Sequence, residues 1–184
     1  MPDNSRMKVK ICFLLAALMA AVAPPALALP GFRPLPHRSS EQQAYLQARV
    51  LAVDLVGAAL PRMAARDARL AGQVLVALRR TRFLASSDLR SRRTCSSRQL
   101  SLFVNVHVRD TIFVCDEVRP HARGASADAI NRLAQGFVHE AVHLAGEVDE
   151  CAATRFELAV MDRTIGVRSN GSQLRYGREC RGRW

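Results

Sequence analysis

The sequence predicts an α+β fold, a small domain of helices with a short β-hairpin or small sheet. Three observations carry that reading. Apolar residues recur at helical spacing in 41–60, at Leu46, Val50, Val53, Val56 and Leu60. The period drops to two in 100–109, where Leu100, Leu102, Val104, Val106 and Val108 alternate with Ser101, Phe103, Asn105, His107 and Arg109. Helical spacing then returns after Ser126 and holds to about Leu144.

Composition bounds the class. The chain has 184 residues, 49% of them hydrophobic, which excludes an intrinsically disordered protein and a large multi-domain one. The first apolar run is N-terminal. Arg6, Lys8 and Lys10 precede the apolar stretch 11–23, Pro24 and Pro25 break it, and Ala26-Leu27-Ala28 offers small residues for cleavage. Thirteen helical residues reach about 20 Å, short of the roughly 30 Å hydrocarbon core. Residues 1–28 therefore read as a signal peptide, and the protein as secreted or periplasmic, with no stable membrane span after cleavage. Residues 29–184 read as one domain, with a helical part at 29–98, a motif-bearing core at 99–164 and an irregular tail at 165–184.

Without residues 1–28 the chain carries 24 arginines and no lysine against 15 acids, a net charge of +9. Arginine without lysine, beside abundant Ala, Leu and Val, reads as the coding bias of a GC-rich bacterium. The charge is then a weak argument for nucleic acid, and no nucleic-acid partner is expected. Cys12 leaves with the signal. Cys95, Cys115, Cys151 and Cys180 remain, an even number in an exported chain, which suggests two disulfides from three possible pairings.

Residues 29–40 read as an extended, Pro-rich lead-in. Pro61 ends the helix of 41–60 and starts a second one, running to about Arg80, to give a helical hairpin. The segment 79–98 holds seven arginines and one acid, Asp88, and reads as a solvated loop or as a site for an anionic surface, such as a cell-envelope polymer or lipid headgroups. Arg109-Asp110 reads as a turn between the strand of 100–108 and a second strand at 111–115. Residues 120–125 read as loop. Ser126 caps the next helix, with Asp128 in its favourable first turn. After Gly146 a further helix runs from about Asp149 to Thr164. His37 and His107 read as exposed.

The chemistry lies in His139-Glu140-Ala141-Val142-His143. Helical residues four apart are separated by about 40° and 6 Å of rise, so both imidazoles leave one face close enough to share a metal ion. Glu140 lies about 100° round, beside the metal rather than on it. A third ligand must come from Glu147, Asp149 or Glu150. On one straight helix Glu150 would lie about 10 Å beyond His143. Gly146 can take positive φ and turn the chain back, so that the next helix brings an acid to the metal.

These residues resemble the zincin metallopeptidases. Gly146 and Asp149 match the metzincin-like pattern His-Glu-x-x-His-x-x-Gly-x-x-His/Asp, in which snapalysin-type proteases use Asp. Glu150-Cys151-Ala152-Ala153, followed by Phe156, Leu158 and Ala159, is similar to the gluzincin-like form. The block also resembles bacterial exported His-Glu-x-x-His proteins. The resemblance favours Glu150 as third ligand, with Asp149 and Glu147 as alternatives. It implies Zn²⁺ as cofactor, held by His139, His143 and Glu150, and hydrolysis of a peptide or protein substrate through zinc-activated water with Glu140 as general base. Tyr176 and His121 are candidates to stabilise the oxyanion. By the same analogy 111–115 is an edge strand that pairs with the substrate backbone. Cys151, beside Glu150, is expected to staple its helix to Cys115 or Cys180. A rival reading is an inactive basic envelope protein that keeps the scaffold and binds an anionic polymer or partner. A third is a metal-storage or sensing protein that does not hydrolyse.

Overall fold

The computed structural model describes residues 29–97, 101–105, 107–124, 126–166 and 179–180. The segment read as a signal peptide lies outside them, as does Tyr176. The architecture is α+β. In chain order the elements are β1 (Phe32–Pro34), α1 (Ser40–Ala59), a 3₁₀ turn (Leu60–Arg62), α2 (Ala65–Arg80), β2 (Arg82–Ser86), α3 (Leu89–Ser97), β3 (Leu102–Asn105), β4 (Val108–Val114), α4 (Arg119–Gly124), α5 (Ala127–Leu144) and α6 (Glu150–Ile165).

The strands form one sheet in the order β1-β2-β4-β3. β4 pairs with β2 in parallel, Arg82 opposite Thr111, and with β3 antiparallel, Phe103 opposite Phe113. It is therefore interior, and the edges among the described residues are β1 and β3. This corrects the expectation of an edge strand at 111–115. The strand also begins earlier, at Val108, so the reversal precedes Arg109-Asp110. Asp110 lies within β4 at φ 52°, a conformation that aspartate tolerates better than most residues.

The sheet is covered on both faces. Ala85, Ile112 and Val114 point into the larger core with Tyr45, Val56, Leu78, Phe137 and Val160 of the helices. Leu84, Phe103, Phe113 and Cys115 point the other way and pack with Phe32 and Cys95. Phe103, assigned to a polar face by the alternation, is thus a core residue. Its ring stacks on Phe113 at 5.0 Å, and Phe32 meets Phe113 edge-on at 5.0 Å. Strand alternation still holds: the second face is apolar because it carries a core of its own, which Phe32 of β1 and Cys95 of α3 join.

That helix overturns the loop reading of 79–98. The segment holds a strand inside the sheet and a helix tied to the end of β4 by the Cys95–Cys115 disulfide. Arg90, Arg92 and Arg93 are the exposed side of that helix, while Arg79 and Arg80 end α2 and Arg82 opens β2, so the segment's composition looks like loop. The 120–125 segment is also helical, as α4. Arg119 in its first turn places its guanidinium on buried Glu41 at 2.6 and 3.2 Å and on Asp116 at 3.2 Å, which fastens α4 to α1. The lead-in contributes β1, and Pro61 sits in the 3₁₀ turn, so the second helix starts only at Ala65.

One stretch among the described residues, Ser40–Arg62, is long and apolar enough to cross a membrane. It is α1, whose Ala44, Tyr45, Ala48, Ala52 and Val56 are buried against α2, α4, α5 and α6. α5 lies across the sheet. At Gly136 it comes close to β3, where a Cβ would meet the end of the Leu102 side chain at 2.7 Å. The motif-bearing helix is thus set directly beside an edge strand.

Candidate metal centre

α5 begins as expected. Ser126 accepts a hydrogen bond from the Ala129 amide, and Asp128 stands in the first turn. Its C-terminus is closed by a Schellman pattern, with the Gly146 amide on His143 O and the Glu147 amide on Val142 O. Gly146 takes φ 100°, a region that side chains avoid. The chain reverses there, and Asp149 caps α6 by accepting from the amides of Cys151 and Ala152. α6 then returns along α5 and presents Glu150 in its first turn.

His139, His143 and Glu150 are brought together, with one donor atom from each within 4.8 Å of the others. His139 Nε2 lies 3.1 Å from Glu150 Oε2 and 3.3 Å from His143 Nε2, and His143 Nε2 lies 3.4 Å from the same carboxylate oxygen. The other two candidate acids are used elsewhere. Asp149 is the helix cap, and Glu147 Oε1 accepts from the Asp149 amide at 3.0 Å. The backbone carbonyl of Glu147 accepts from His143 Nδ1 at 2.7 Å.

Those outer contacts fix the imidazoles. A carbonyl oxygen can only accept, so His143 carries its proton on Nδ1. His139 Nδ1 faces Glu157 Oε2 at 3.2 Å, and an ionised carboxylate likewise can only accept. In the neutral rings both Nε2 atoms are then bare lone pairs. They meet each other and the Glu150 oxygen at contact distance. Three lone pairs converging on one point repel unless a cation, either protons or a metal ion, sits among them.

The titration behaviour follows the same logic. Burial disfavours charge on His139, but hydrogen bonds to Glu150 and Glu157 and the charge of Glu140 outweigh it and push the imidazole up to about 10. His143 is also raised, burial again being overcome by Glu150 and Glu140. Hydrogen bonds to the two histidines hold Glu150 well below the usual carboxylate range. Glu140 is buried one helical step from His139, and desolvation pushes its carboxyl up to about 7, opposed by the histidines and reinforced by Glu150 and Glu157. The raised histidines and the lowered Glu150 carboxyl show that positive charge beside these carboxylates is favoured, whereas the raised Glu140 carboxyl reflects its burial first.

Glu157 was missed by the sequence reading. It stands two turns after Glu150 on the same face of α6 and is 2% exposed. The available signal was a carboxylate among Ala153, Phe156, Val160 and Met161, where an unpaired charge would be costly. Of the oxyanion candidates, His121 is exposed on α4 and is not part of the cluster. Cys95 is in a disulfide and cannot act as a thiolate on a metal. Cys151 pairs with Cys180, beside Glu150. Two disulfides fit an oxidising compartment. Comparisons with protein families, with curated proteins and with solved structures return no match.

Proposed function

We propose that the protein is an exported zinc-dependent peptidase. The observation that carries this reading is the convergence of His139 Nε2, His143 Nε2 and Glu150 Oε2 with both Nδ1 atoms already committed to acceptors. Ligands at about 2.0–2.1 Å from a tetrahedral zinc ion stand about 3.3 Å apart. The three donor separations of 3.1, 3.3 and 3.4 Å fit one face of that tetrahedron. Two imidazoles and a carboxylate, with a fourth corner open, are a donor set of catalytic zinc sites. Glu150 is 45% exposed, so the open side is on the solvent side of the cluster.

Zn²⁺ held by His139, His143 and Glu150 would supply Lewis acidity, enough to polarise a carbonyl and lower the pKa of water toward 7. The protein's own groups do the rest. Glu157 and the Glu147 carbonyl hold both rings in the ligating tautomer. Glu140, buried and beside the ligands, takes a proton from the attacking water and returns it to the leaving amine. Residues 102–105 lie at a sheet edge among the described residues and would offer backbone groups to an extended substrate, in place of 111–115. The signal-like N-terminus and the disulfides support secretion or a periplasmic location.

Metal analysis tests the reading. The expected result is about one zinc per chain, lost in His143→Ala and in Glu150→Ala. Glu140→Gln should keep the zinc and abolish cleavage of an unfolded protein substrate. Wild-type protein that takes up no zinc on reconstitution would overturn the proposal. Zinc without turnover on any unfolded protein would leave a storage or sensing role. A binding module on the same scaffold has Arg90 and Arg93 on the exposed side of α3 in its favour, and would be untouched by Glu140→Gln.

A further inference from the structure

A groove of about 470 Å³ runs between the outer face of α2 and the C-terminal end of α5. Leu144 and Ala145 form one wall, immediately after His143, and Arg69, Val76 and Arg80 of α2 line the other. Glu140 and Leu144 are four residues apart, so they share a face of α5. The groove therefore continues, one turn further on, the face of the helix that carries Glu140. Asp110 of β4 also lines it and is its one acid.

The two guanidiniums are its most distinctive feature. Arg69 and Arg80 are exposed, and among the described residues neither makes an ion pair. Eleven residues of helix separate them, about 16 Å along the axis. One small anion cannot bridge that distance, whereas about five residues of extended peptide span it. Between the arginines the lining is Gln73 followed by apolar side chains, with Asp110 at the side. Val76 is 46% exposed there, with Ala77 and Leu144 beside it. Cation, apolar floor, cation is the complement of an extended chain with an acid at each end and an apolar side chain between.

We propose that this groove binds the acidic portion of a peptide substrate, through Arg69 and Arg80 at its ends and Val76 and Leu144 at its centre. The assignment of a peptide rests on the peptidase reading. The charge spacing and the apolar floor belong to the groove itself. A polyphosphate-like polymer would satisfy the arginines but leave the apolar centre without a partner, and so fits less well.

Fluorescence anisotropy tests the groove apart from the metal centre. The probe is fluorescein-labelled Glu-Ala-Leu-Ala-Ala-Glu, its control has Gln for both Glu, and the protein is the full chain carrying Glu140→Gln to prevent turnover. The Glu probe should bind at least tenfold more tightly than the Gln control and weaken as salt is raised. Adding Arg69→Gln and Arg80→Gln should abolish the difference. Both positions are exposed, and circular dichroism checks that the variants are folded. Equal binding of the two probes, or a preference that survives the double substitution, would overturn the proposal. So would inorganic polyphosphate that binds more tightly than the Glu probe and depends on the same arginines. Probe binding in a wild-type protein that holds no zinc would keep the groove and sink the peptidase. Zinc and cleavage with no acidic preference would do the reverse.

Discussion

At the scale of single residues, the centre is decided by which ring nitrogen carries the proton. The Glu147 carbonyl and the Glu157 carboxylate settle that for His143 and His139. Glu157→Gln keeps an acceptor at Nδ1 but removes the charge that would make His139 a more basic ligand in the proposed zinc site. The expected outcome is zinc bound about tenfold more weakly, read by competition with a chelator at fixed pH. Unchanged affinity would mean that Glu157 serves packing alone. Asp116 shows the sign of a different titration. Burial pushes its carboxyl up, but Ser86, Arg119 and Arg92 together pull it down further, and the net shift is downward. A carboxyl lowered on folding stabilises above its unfolded value near 3.9, and that contribution is lost as pH falls through the lower folded value. Asp116→Asn should therefore lower the urea midpoint at pH 7, with the difference shrinking at pH 2.5. A difference of the same size at both pH values would show that its charge is not what matters.

At the scale of elements, the five residues 145–149 convert two helices into one site. Asp149 and Glu150 are neighbours with different work, because the N-cap side chain turns back onto amides while the next residue starts the helix and faces α5. Asp149→Ala should cost about 1 kcal/mol in a denaturant melt and leave zinc bound. Zinc lost together with Asp149 would make it the ligand instead. Glu41 and Arg119 make a comparable joint between α1 and α4. Arg119→Ala removes both guanidinium contacts of a carboxylate that is 5% exposed but leaves it Tyr45 and Arg123, and about 2 kcal/mol of destabilisation is expected in the same melt. Much of this level was legible in the sequence. α5 and α6 were readable because long apolar periodicity, Ser126 and Gly146 agree on their limits. His139 and His143 were readable because helix geometry places them on one face, whereas Glu150 was favoured over Asp149 and Glu147 only by the zincin resemblance. β1 and β2 were not, since strands of three and five residues have too few alternations to show a period and lie among prolines and arginines. α3 was hidden because only Ser91 and Cys95 of its nine residues are buried. Glu157 was hidden because its partner is brought near by the fold and not by the sequence.

At the scale of the whole molecule, two disulfides divide the task of holding a small core together. Cys95–Cys115 closes 20 residues and clamps α3 over one face of the sheet, whereas Cys151–Cys180 closes 29 and ties the chain end to the first turn of α6. Loops of these lengths restrict the unfolded chain by about 3–4 kcal/mol each on the chain-entropy account. Their effects on the metal centre should differ, because only Cys151 adjoins Glu150. Zinc that binds the folded state adds RT ln(1 + [L]/Kd), about 2.7 kcal/mol at a hundredfold excess over Kd. Thermal melts with and without zinc should then show a raised Tm in the wild type and none in His143→Ala. Replacing Cys151 and Cys180 together by Ser should lower Tm and also weaken zinc binding, since Glu150 is no longer held by a fixed first turn. Replacing Cys95 and Cys115 should lower Tm by a similar amount and leave zinc affinity near the wild-type value. If both pairs weaken zinc equally, the metal is reading global stability and the tail has no special part in the centre. If only the second pair does so, the chain end acts as a brace for the third ligand, and reduction of that disulfide would release the metal before the fold is lost.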